Sequence, residues 1–286
     1  MKSGLALAVG VLIVIGAPPV LALDCAKASS RVDRLICTTP DLKQADAAMS
    51  TAYFKLLKKT IDPDFHDALI KSQRRWLQVR SQGAREFGQA EDEETDQRPA
   101  LLQITRDRMD SLQTAELIHR MERQRDNVSR DSGGSFAGYR TSCFVLPPPY
   151  GNWSYGCFGE GHRQNNDRIC SVGLEWASGH QTEYWLVSIL KDGAPKPVAS
   201  CSIGYAGTTE RCPDPNDDAE TKAIAHWNTN PIPSENTPAP RAADLWKYDP
   251  DTSVGLTDEQ WMHDCLFAAT FPPADVSRAD PAPKKP

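Results

Sequence analysis

The sequence lacks the residue patterns that hold metal ions or carry out nucleophilic catalysis. It contains no C-x-x-C and no H-E-x-x-H motif, and its 6 histidines do not fall at the spacing of metal ligands. A glycine cluster, GCFGEGH at 156–162, is not followed by the Lys-Ser/Thr pair of a phosphate-binding loop. These absences argue against an enzyme and predict no catalytic residue, no metal and no cofactor.

Basic residues are not in excess over acidic residues. The 38 acidic residues outnumber the 32 lysines and arginines, so the formal net charge is −6. Removal of Lys2 with the leader described below would take away one positive charge and leave about −7. A nucleic acid partner is therefore not expected, whereas a cationic protein partner fits this charge.

Long apolar runs are absent after the first residues of the chain. Lys2 precedes an apolar run over 5–15, two prolines follow it, and Val20 and Ala22 stand at the −3 and −1 positions of a leader cleavage site. We predict a signal peptide over 1–22, cleavage after Ala22, and a periplasmic or secreted mature chain that is not membrane-embedded. A retained membrane anchor is the alternative, but the apolar run is short for a membrane span.

Cysteine, in contrast, is plentiful. The 8 cysteines are an even number, and an exported chain meets an oxidising compartment, so all of them are expected to form disulfide bonds. A cysteine–histidine nucleophile is the alternative use, which the even number disfavours. The cysteines are Cys25, Cys37, Cys143, Cys157, Cys170, Cys201, Cys212 and Cys265.

The two halves of the chain have different residue patterns. Residues 23–128 repeat apolar side chains at spacings of three and four, which predicts amphipathic helices, and the turn sequence IDPD at 61–64 separates the first two. Residues 136–270 instead contain short β-branched and aromatic runs such as RICSVGLEW and TEYWLVSIL, which predict strands. A linker is expected over 129–135 and a disordered tail over 271–286. The predicted fold class is α+β, with a helical hairpin or three-helix domain followed by a small, disulfide-bonded, mostly β domain.

One helix face combines three large hydrogen-bonding side chains. Gln73, Trp76 and Arg80 stand three and four residues apart in the second expected helix. Catalysis there would need a nucleophile or a titratable pair, and none of the three side chains readily exchanges a proton. We expect instead a seam between two antiparallel helices, with Arg80 paired to Asp46 and Trp76 packed beside Tyr53. A partly exposed binding patch is the alternative, because Trp, Tyr and Arg also dominate protein interfaces.

The order of these residues resembles the N-terminal domain of the LprI family, which is named for a lysozyme inhibitor. The similarity covers about residues 24–115 and ends in the helix LLQITRDRMDSL. The resemblance implies a helical fold and a role in inhibition rather than catalysis. The matching positions are Cys25, Cys37, Leu42, Asp46, Tyr53, Gln73, Trp76, Arg80, Thr105, Arg108 and Leu112.

The chain departs from the family pattern at two cysteine positions. Family members usually carry cysteines where this sequence has Ala84 and Ala100, so the comparison implies that one whole bridge is missing and that Cys25 and Cys37 form a pair. The other six cysteines allow fifteen pairings. Joining sequence neighbours, the pairing that we favour, gives Cys143–Cys157 and Cys201–Cys212 and leaves Cys170–Cys265.

The resemblance makes the binding and inhibition of a lysozyme, or of a similar cationic cell-wall hydrolase, the leading functional hypothesis. An acidic segment would steer the chain toward a basic enzyme through Glu91, Asp92, Glu93, Glu94 and Asp96. An envelope-associated structural or interaction module without inhibitory activity is the alternative, and an envelope hydrolase is a weaker one. The β half resembles no known family, and the Ser-Gly-x-x-Tyr motif of other periplasmic lysozyme inhibitors is absent.

Overall fold

The computed structural model describes most of the chain between Leu23 and Ala269. The predicted signal peptide, the acidic segment 91–96 and the tail from 271 lie outside the described residues. The described stretches are 23–86, 97–131, 133–146, 154–177, 180–203, 211–212, 227–231, 240–252, 254 and 256–269.

The N-terminal part is helical. A short 3-10 helix (Cys25–Lys27) comes before helices α1 (Arg31–Thr38), α2 (Pro40–Lys59), α3 (Pro63–Glu86), α4 (Gln97–Gln113) and α5 (Glu116–Asp131). At the start of α1 the Ser30 hydroxyl accepts a hydrogen bond from the Asp33 N–H, and the Asp33 carboxylate accepts one from the Ser30 N–H. At the start of α3 the Asp62 carboxylate accepts hydrogen bonds from the backbone N–H groups of Asp64 and Phe65. Local capping therefore decides where these helices begin.

The helices differ from the expected three in two places. Helix α1 lies before the first expected helix, and Thr39 separates it from Pro40 in the first turn of α2. The third expected helix is divided into α4 and α5 at Thr114 and Ala115. There the Thr114 hydroxyl donates to the Ser111 carbonyl, a local bond that competes with the continuation of the helix.

Helix α2 packs most extensively against α4 rather than against α3. Buried alanines at 45, 52 and 100 fit such a close approach, because small side chains let two helices come together. Helices α2 and α3 contact each other less extensively, through long side chains. The seam expected between them is therefore wider than the seam between α2 and α4.

The second part is a five-stranded antiparallel sheet in which each strand pairs with the next. Its strands are β1 (Gly138–Leu146), β2 (Ser154–Asn165), β3 (Arg168–Ala177), β4 (His180–Lys191) and β5 (Ala194–Ile203). The turn from β4 to β5 places Asp192 and Gly193 at positive φ, as a two-residue Asp-Gly hairpin requires. The glycine cluster at 156–162 lies within β2. Together with the disulfides described below, the sheet confirms the predicted α+β fold class.

The chain returns to the first strand after the sheet. Trp246 and Tyr139 exchange two backbone hydrogen bonds of 2.8 Å. Helix α6 (Leu256–Phe267) then packs on β2 and β3, where Met262 and Leu266 join a buried cluster with Val172. No helix in the described stretches is both long and apolar enough to cross a membrane.

All eight cysteines form disulfides, and the pairs are those that the sequence analysis favoured. The pairs are Cys25–Cys37, Cys143–Cys157, Cys170–Cys265 and Cys201–Cys212. Three are local, whereas Cys170–Cys265 joins β3 to α6 across 95 residues. This bond closes the C-terminal helix onto the sheet.

Candidate functional site

The six motif residues, which α2 and α3 supply, are all buried. Their exposed fractions are 4% or less, so the partly exposed patch that the sequence allowed is not present at these side chains. Spacings of four and seven residues on α2 and of three and four on α3 turn these side chains toward the same interior. The residues are Leu42, Asp46 and Tyr53 on α2 and Gln73, Trp76 and Arg80 on α3.

The expected ion pair between α2 and α3 is present. Arg80 Nη1 donates to Asp46 Oδ1 at 2.7 Å, and both side chains are at least nine-tenths buried. The Arg80 guanidinium also lies over the Trp76 ring, 4.8 Å from its centroid. Gln73 donates to the sulfur of Met49 at 3.1 Å, which adds a second contact across the seam. The face therefore holds the two helices together.

A cavity of about 250 Å³ remains between these helices, and we call it the α2–α3 cavity. Four of the six motif residues line it, together with residues from the start of the described chain. Burial raises the pKa of the Tyr53 hydroxyl, so this group stays protonated and can both donate and accept a hydrogen bond. The lining residues include Leu23, Asp33, Asp46, Ser50, Tyr53, Gln73 and Arg80.

Comparison with protein families relates the helical part of the chain to one known family. Residues 25–125 match the family model of lysozyme inhibitor LprI. The match confirms the resemblance inferred from the sequence and extends it into α5; we call residues 25–125 the LprI region. No curated protein and no solved structure matches the chain.

The LprI region is tied to the C-terminal part by a buried ionic network. Arg75 of α3 donates to both carboxylate oxygens of Asp249, at 2.9 and 2.6 Å, and to Asp251 at 2.7 Å. Arg108 of α4 donates to the other oxygen of Asp251 at 3.0 Å and to the Ser72 hydroxyl at 2.7 Å. We call these four charged residues the junction network. Two arginines of the LprI region thus hold two aspartates that lie outside it.

The charges of the junction network stabilise one another. Burial alone would raise the pKa of Asp251, but the Arg108 and Arg75 guanidinium groups lower it to about 2. The hydrogen bonds and charges of Asp249 and Asp251 likewise outweigh burial and raise the pKa of Arg75. Asp251 and Arg75 are therefore charged at neutral pH, and removal of either leaves the other buried and uncompensated.

The junction network reaches the motif residues through Gln73. Arg108 Nε donates to Gln73 Oε1 at 3.1 Å, while the same guanidinium holds Asp251. Arg108 is recognisable from the sequence as a family position, whereas no sequence pattern indicated a role for Arg75, Asp249 or Asp251. The only local signal was the turn-forming triplet Asp-Pro-Asp at 249–251, and a turn sequence does not show which arginines it will meet.

A larger cavity, of about 510 Å³, lies beside the junction network. Trp76 and Ile104 of the LprI region line it, together with Tyr155 of β2 and with Pro250, Asp251, Thr252 and Val254. Burial, with the nearby Asp251 charge, raises the pKa of the Tyr155 hydroxyl. The cavity has the size of a small-molecule site, ~300–1,000 Å³.

The sheet carries a polar cluster with the side-chain types of a serine hydrolase. Ser171 Oγ lies 2.7 Å from His162 Nδ1, and Glu160 Oε2 lies 3.4 Å from His162 Nε2. Arg140 donates to both oxygens of Glu160, at 3.1 and 2.5 Å. Burial lowers the pKa of His162. Burial alone would raise the pKa of Glu160, but the neighbouring His162 and Arg140 lower it.

The position of this cluster does not favour catalysis. Ser171 and His162 are 3% and 2% exposed and line neither of the two cavities described above. A serine nucleophile needs a cleft in which the substrate carbonyl can reach its hydroxyl. The cluster therefore acts as a hydrogen-bonded cross-link between β2 and β3. Within the described stretches, no group of three or more His, Cys, Asp or Glu side chains is placed to hold a metal ion.

Proposed function

We propose that this chain is an exported protein that binds and inhibits a cationic cell-wall hydrolase, with lysozyme as the first candidate. The observation that carries the proposal is the match of residues 25–125 to the model of lysozyme inhibitor LprI. The chain preserves the motif residues of that family as a connected, buried set, which supports an intact LprI-type framework. The partner and the inhibition itself are inferred from the family.

The charge of the chain supports a basic partner. Its formal net charge is −6, and the acidic segment 91–96, which lies in sequence between α3 and α4, contributes five carboxylates. Opposite charge on the two proteins would speed their encounter, and salt would weaken that effect. The four disulfides fit a protein that works in an oxidising compartment, as a periplasmic or secreted inhibitor does.

We assign the motif residues to the framework and the partner contact to other surfaces. Trp76 is 1% exposed and Arg80 is 4% exposed, so a protein partner could touch them only after the helices had separated. The acidic segment is our first candidate for the contact. Its residues are Glu91, Asp92, Glu93, Glu94 and Asp96.

The proposal is tested by inhibition of lysozyme with the purified, oxidised mature chain. We expect inhibition at low salt that weakens as salt is added. Changing the five acidic residues to their amides (Glu91→Gln, Asp92→Asn, Glu93→Gln, Glu94→Gln, Asp96→Asn) should weaken inhibition by roughly tenfold or more at low salt.

A matched control separates the acidic segment from net charge alone. Changing five exposed aspartates elsewhere to asparagine alters the charge by the same amount and should weaken inhibition much less. They are Asp41, Asp110, Asp126, Asp167 and Asp192. An equal effect of both sets would assign the contribution to net charge, and absence of any lysozyme binding at low salt would overturn the proposal.

An envelope interaction module without inhibitory activity is the alternative function. Such a module would also be exported and would have the same helical framework. It differs from the first proposal only in that binding does not inhibit the partner. Lysozyme binding that leaves the rate of cell-wall hydrolysis unchanged would favour it. A pull-down from an envelope extract with the mature chain would then identify the partner.

A further inference from the structure

The α2–α3 cavity has an unbalanced charge on its wall. Asp33 and Asp46 contribute two carboxylates to the lining, whereas Arg80 contributes one guanidinium. Arg80 occupies one oxygen of Asp46, and the backbone N–H of Ser30 occupies one oxygen of Asp33. The lining therefore carries one carboxylate more than it carries guanidinium groups, although the charges of Arg74 and Arg108 also act on Tyr53.

The hydroxyl of Tyr53 is a further polar group on the wall of this cavity. The residue is 3% exposed, and in the described part of the chain its hydroxyl has no hydrogen-bond partner. A phenolic oxygen can accept a hydrogen bond from an N–H group in the cavity. The second oxygen of Asp46 can do the same, because Arg80 donates to the first. The wall thus presents acceptors to a small cation with several N–H donors.

The first described residue of the chain lies at this cavity. Leu23 lines it, and its side chain packs against the apolar cluster that contains Val32 and Ile36. Cys25, two residues later, is bonded to Cys37 of α1. Two residues span at most about 7 Å, so this disulfide and the packed side chain keep the Leu23 nitrogen close to the cavity.

We propose that the α2–α3 cavity is an ammonium site and that its occupant is the chain's own α-amino group at Leu23. This inference rests on the proposed cleavage after Ala22, and it is independent of lysozyme inhibition. Before cleavage the Leu23 nitrogen is a neutral peptide N–H; after cleavage it carries one positive charge and three donors. Those properties match the surplus negative charge, the free oxygen of Asp46 and the Tyr53 hydroxyl.

The size of the cavity favours an internal occupant. Its volume of about 250 Å³ lies below the ~300–1,000 Å³ of typical small-molecule sites, so it suits one charged group better than a separate ligand. Leader removal would then complete the packing of α1, α2 and α3. The mature chain should therefore be more stable than a chain that still carries residues before Leu23.

The test compares the mature chain that begins at Leu23 with the same chain carrying one extra glycine before it. The glycine moves the ammonium group by ~3.5 Å and leaves net charge unchanged. At pH 6 we expect the extension to lower Tm by about 2–4 °C. Acetylation of the Leu23 α-amino group should cause a similar loss, whereas a glycine added after Pro286 should cause none. Equal Tm values for the mature and extended chains would overturn the proposal.

The effect should depend on the charge of the amino group. The charged groups that face it are Asp33, Asp46 and Arg80, with Asp24 next in sequence. Arg74 of α3 and Arg108 of α4 act on Tyr53, the neutral acceptor. A free α-amino group loses its proton above about pH 8, so the difference in Tm should be largest below that pH and should shrink above it. At pH 7.5, acylation of the amino group should be severalfold slower in the mature chain than in the extended chain, and equal rates would contradict the proposal.

A Tyr53→Phe variant tests the assigned acceptor. If the hydroxyl accepts from the ammonium group, the glycine extension should lower Tm less in this variant than in the natural sequence. An unchanged extension effect would remove Tyr53 from the site.

Two further outcomes would overturn the proposal as a whole. The first is an exported chain whose intact mass shows a first residue other than Leu23. The second is an extended chain with unchanged Tm and tighter lysozyme binding, which would assign the cavity to a basic side chain of the partner. Failure of lysozyme inhibition alone would leave the Tm comparison intact and would count against the proposed function only.

Discussion

The LprI region and the β-sheet are held together by different means. In the LprI region one disulfide closes a loop of 12 residues, and the long helices depend on buried side chains such as Trp76 and the Arg80–Asp46 pair. In the sheet and its C-terminal helix three disulfides join segments up to 95 residues apart. Helices bring their apolar residues to one face by local periodicity, whereas the sheet must close long loops, and covalent bonds reduce the entropy of that step.

The two regions nevertheless share one set of buried charges. Arg75 and Arg108 come from the helices, and Asp249 and Asp251 come from the segment that follows the sheet. The backbone of that segment also exchanges hydrogen bonds with Gln124 of α5 through Asp249, both of 2.9 Å. The LprI region and the sheet therefore differ in their internal stabilisation. The junction network nevertheless makes the stability of each region depend on the other.

The largest effect is expected from removal of the long-range disulfide. Changing both Cys170 and Cys265 to alanine should lower the free energy of unfolding by about 4–5 kcal/mol, because the 95-residue loop is no longer closed in the unfolded state. The matched change of Cys25 and Cys37 should cost about 3 kcal/mol, because its loop is shorter. Urea unfolding measures both values, and an equal or reversed order would show that loop closure does not distinguish the regions.

The helical counterpart of that experiment is Trp76→Ala. Because the ring is 1% exposed and lies under Arg80, we expect a loss of about 4 kcal/mol in urea unfolding. Gln78→Ala, at an exposed position of the same helix, is the control and should change little. A Trp76→Ala protein that stays folded but no longer binds its partner would instead show that this face is a binding surface.

A smaller effect should follow from Asp251→Asn at the junction. The change leaves Arg75 and Arg108 without one buried carboxylate and should cost about 3 kcal/mol. Asp244→Asn, which breaks an exposed pair with Arg241, should cost less than about 1 kcal/mol.

The junction also has a pH signature. Since the pKa of Asp251 is lowered to about 2, its contribution is present above the unfolded value of ~3.9 and is lost as the pH falls through 2. Thermal unfolding between pH 5 and 2 measures this loss, which should be smaller in Asp251→Asn. A variant as stable as the natural chain would mean that the two regions are not coupled by this network.

The smallest effect is expected at His162 in the sheet. Burial lowers its pKa in the folded state, so the unfolded chain binds more protons as the pH falls below ~6.5 and stability is lost there. His162→Gln should reduce the loss of stability between pH 7 and pH 5 by about 1 kcal/mol. His119→Gln, at an exposed histidine, should leave the slope unchanged; a parallel slope in both variants would contradict the assignment.

Particular residues show how far the sequence alone could be interpreted. The helix-forming stretches, the strands β3–β5, the Arg80–Asp46 pair and the cysteine pairing agree with what the sequence predicted, because each depends on short-range periodicity or on few alternatives. Strand β2 was not predicted, since glycine at 156, 159 and 161 weakens a strand signal that neighbouring strands supply. The division between α4 and α5 was missed because a single threonine decides it.

The sequence by itself determined the similarity of residues 25–125 to the LprI family, the α+β class and an acidic chain with every cysteine in a bond. Tertiary structure alone decided that Arg75 and Arg108 meet Asp249 and Asp251, and that Leu23, Asp33, Asp46 and Tyr53 surround one cavity. The physical reason is the distance along the chain. Local sequence patterns specify which way a side chain faces. They do not specify the partner of a buried charge that lies far away along the chain, and Arg108 and Asp251 are separated by 143 residues.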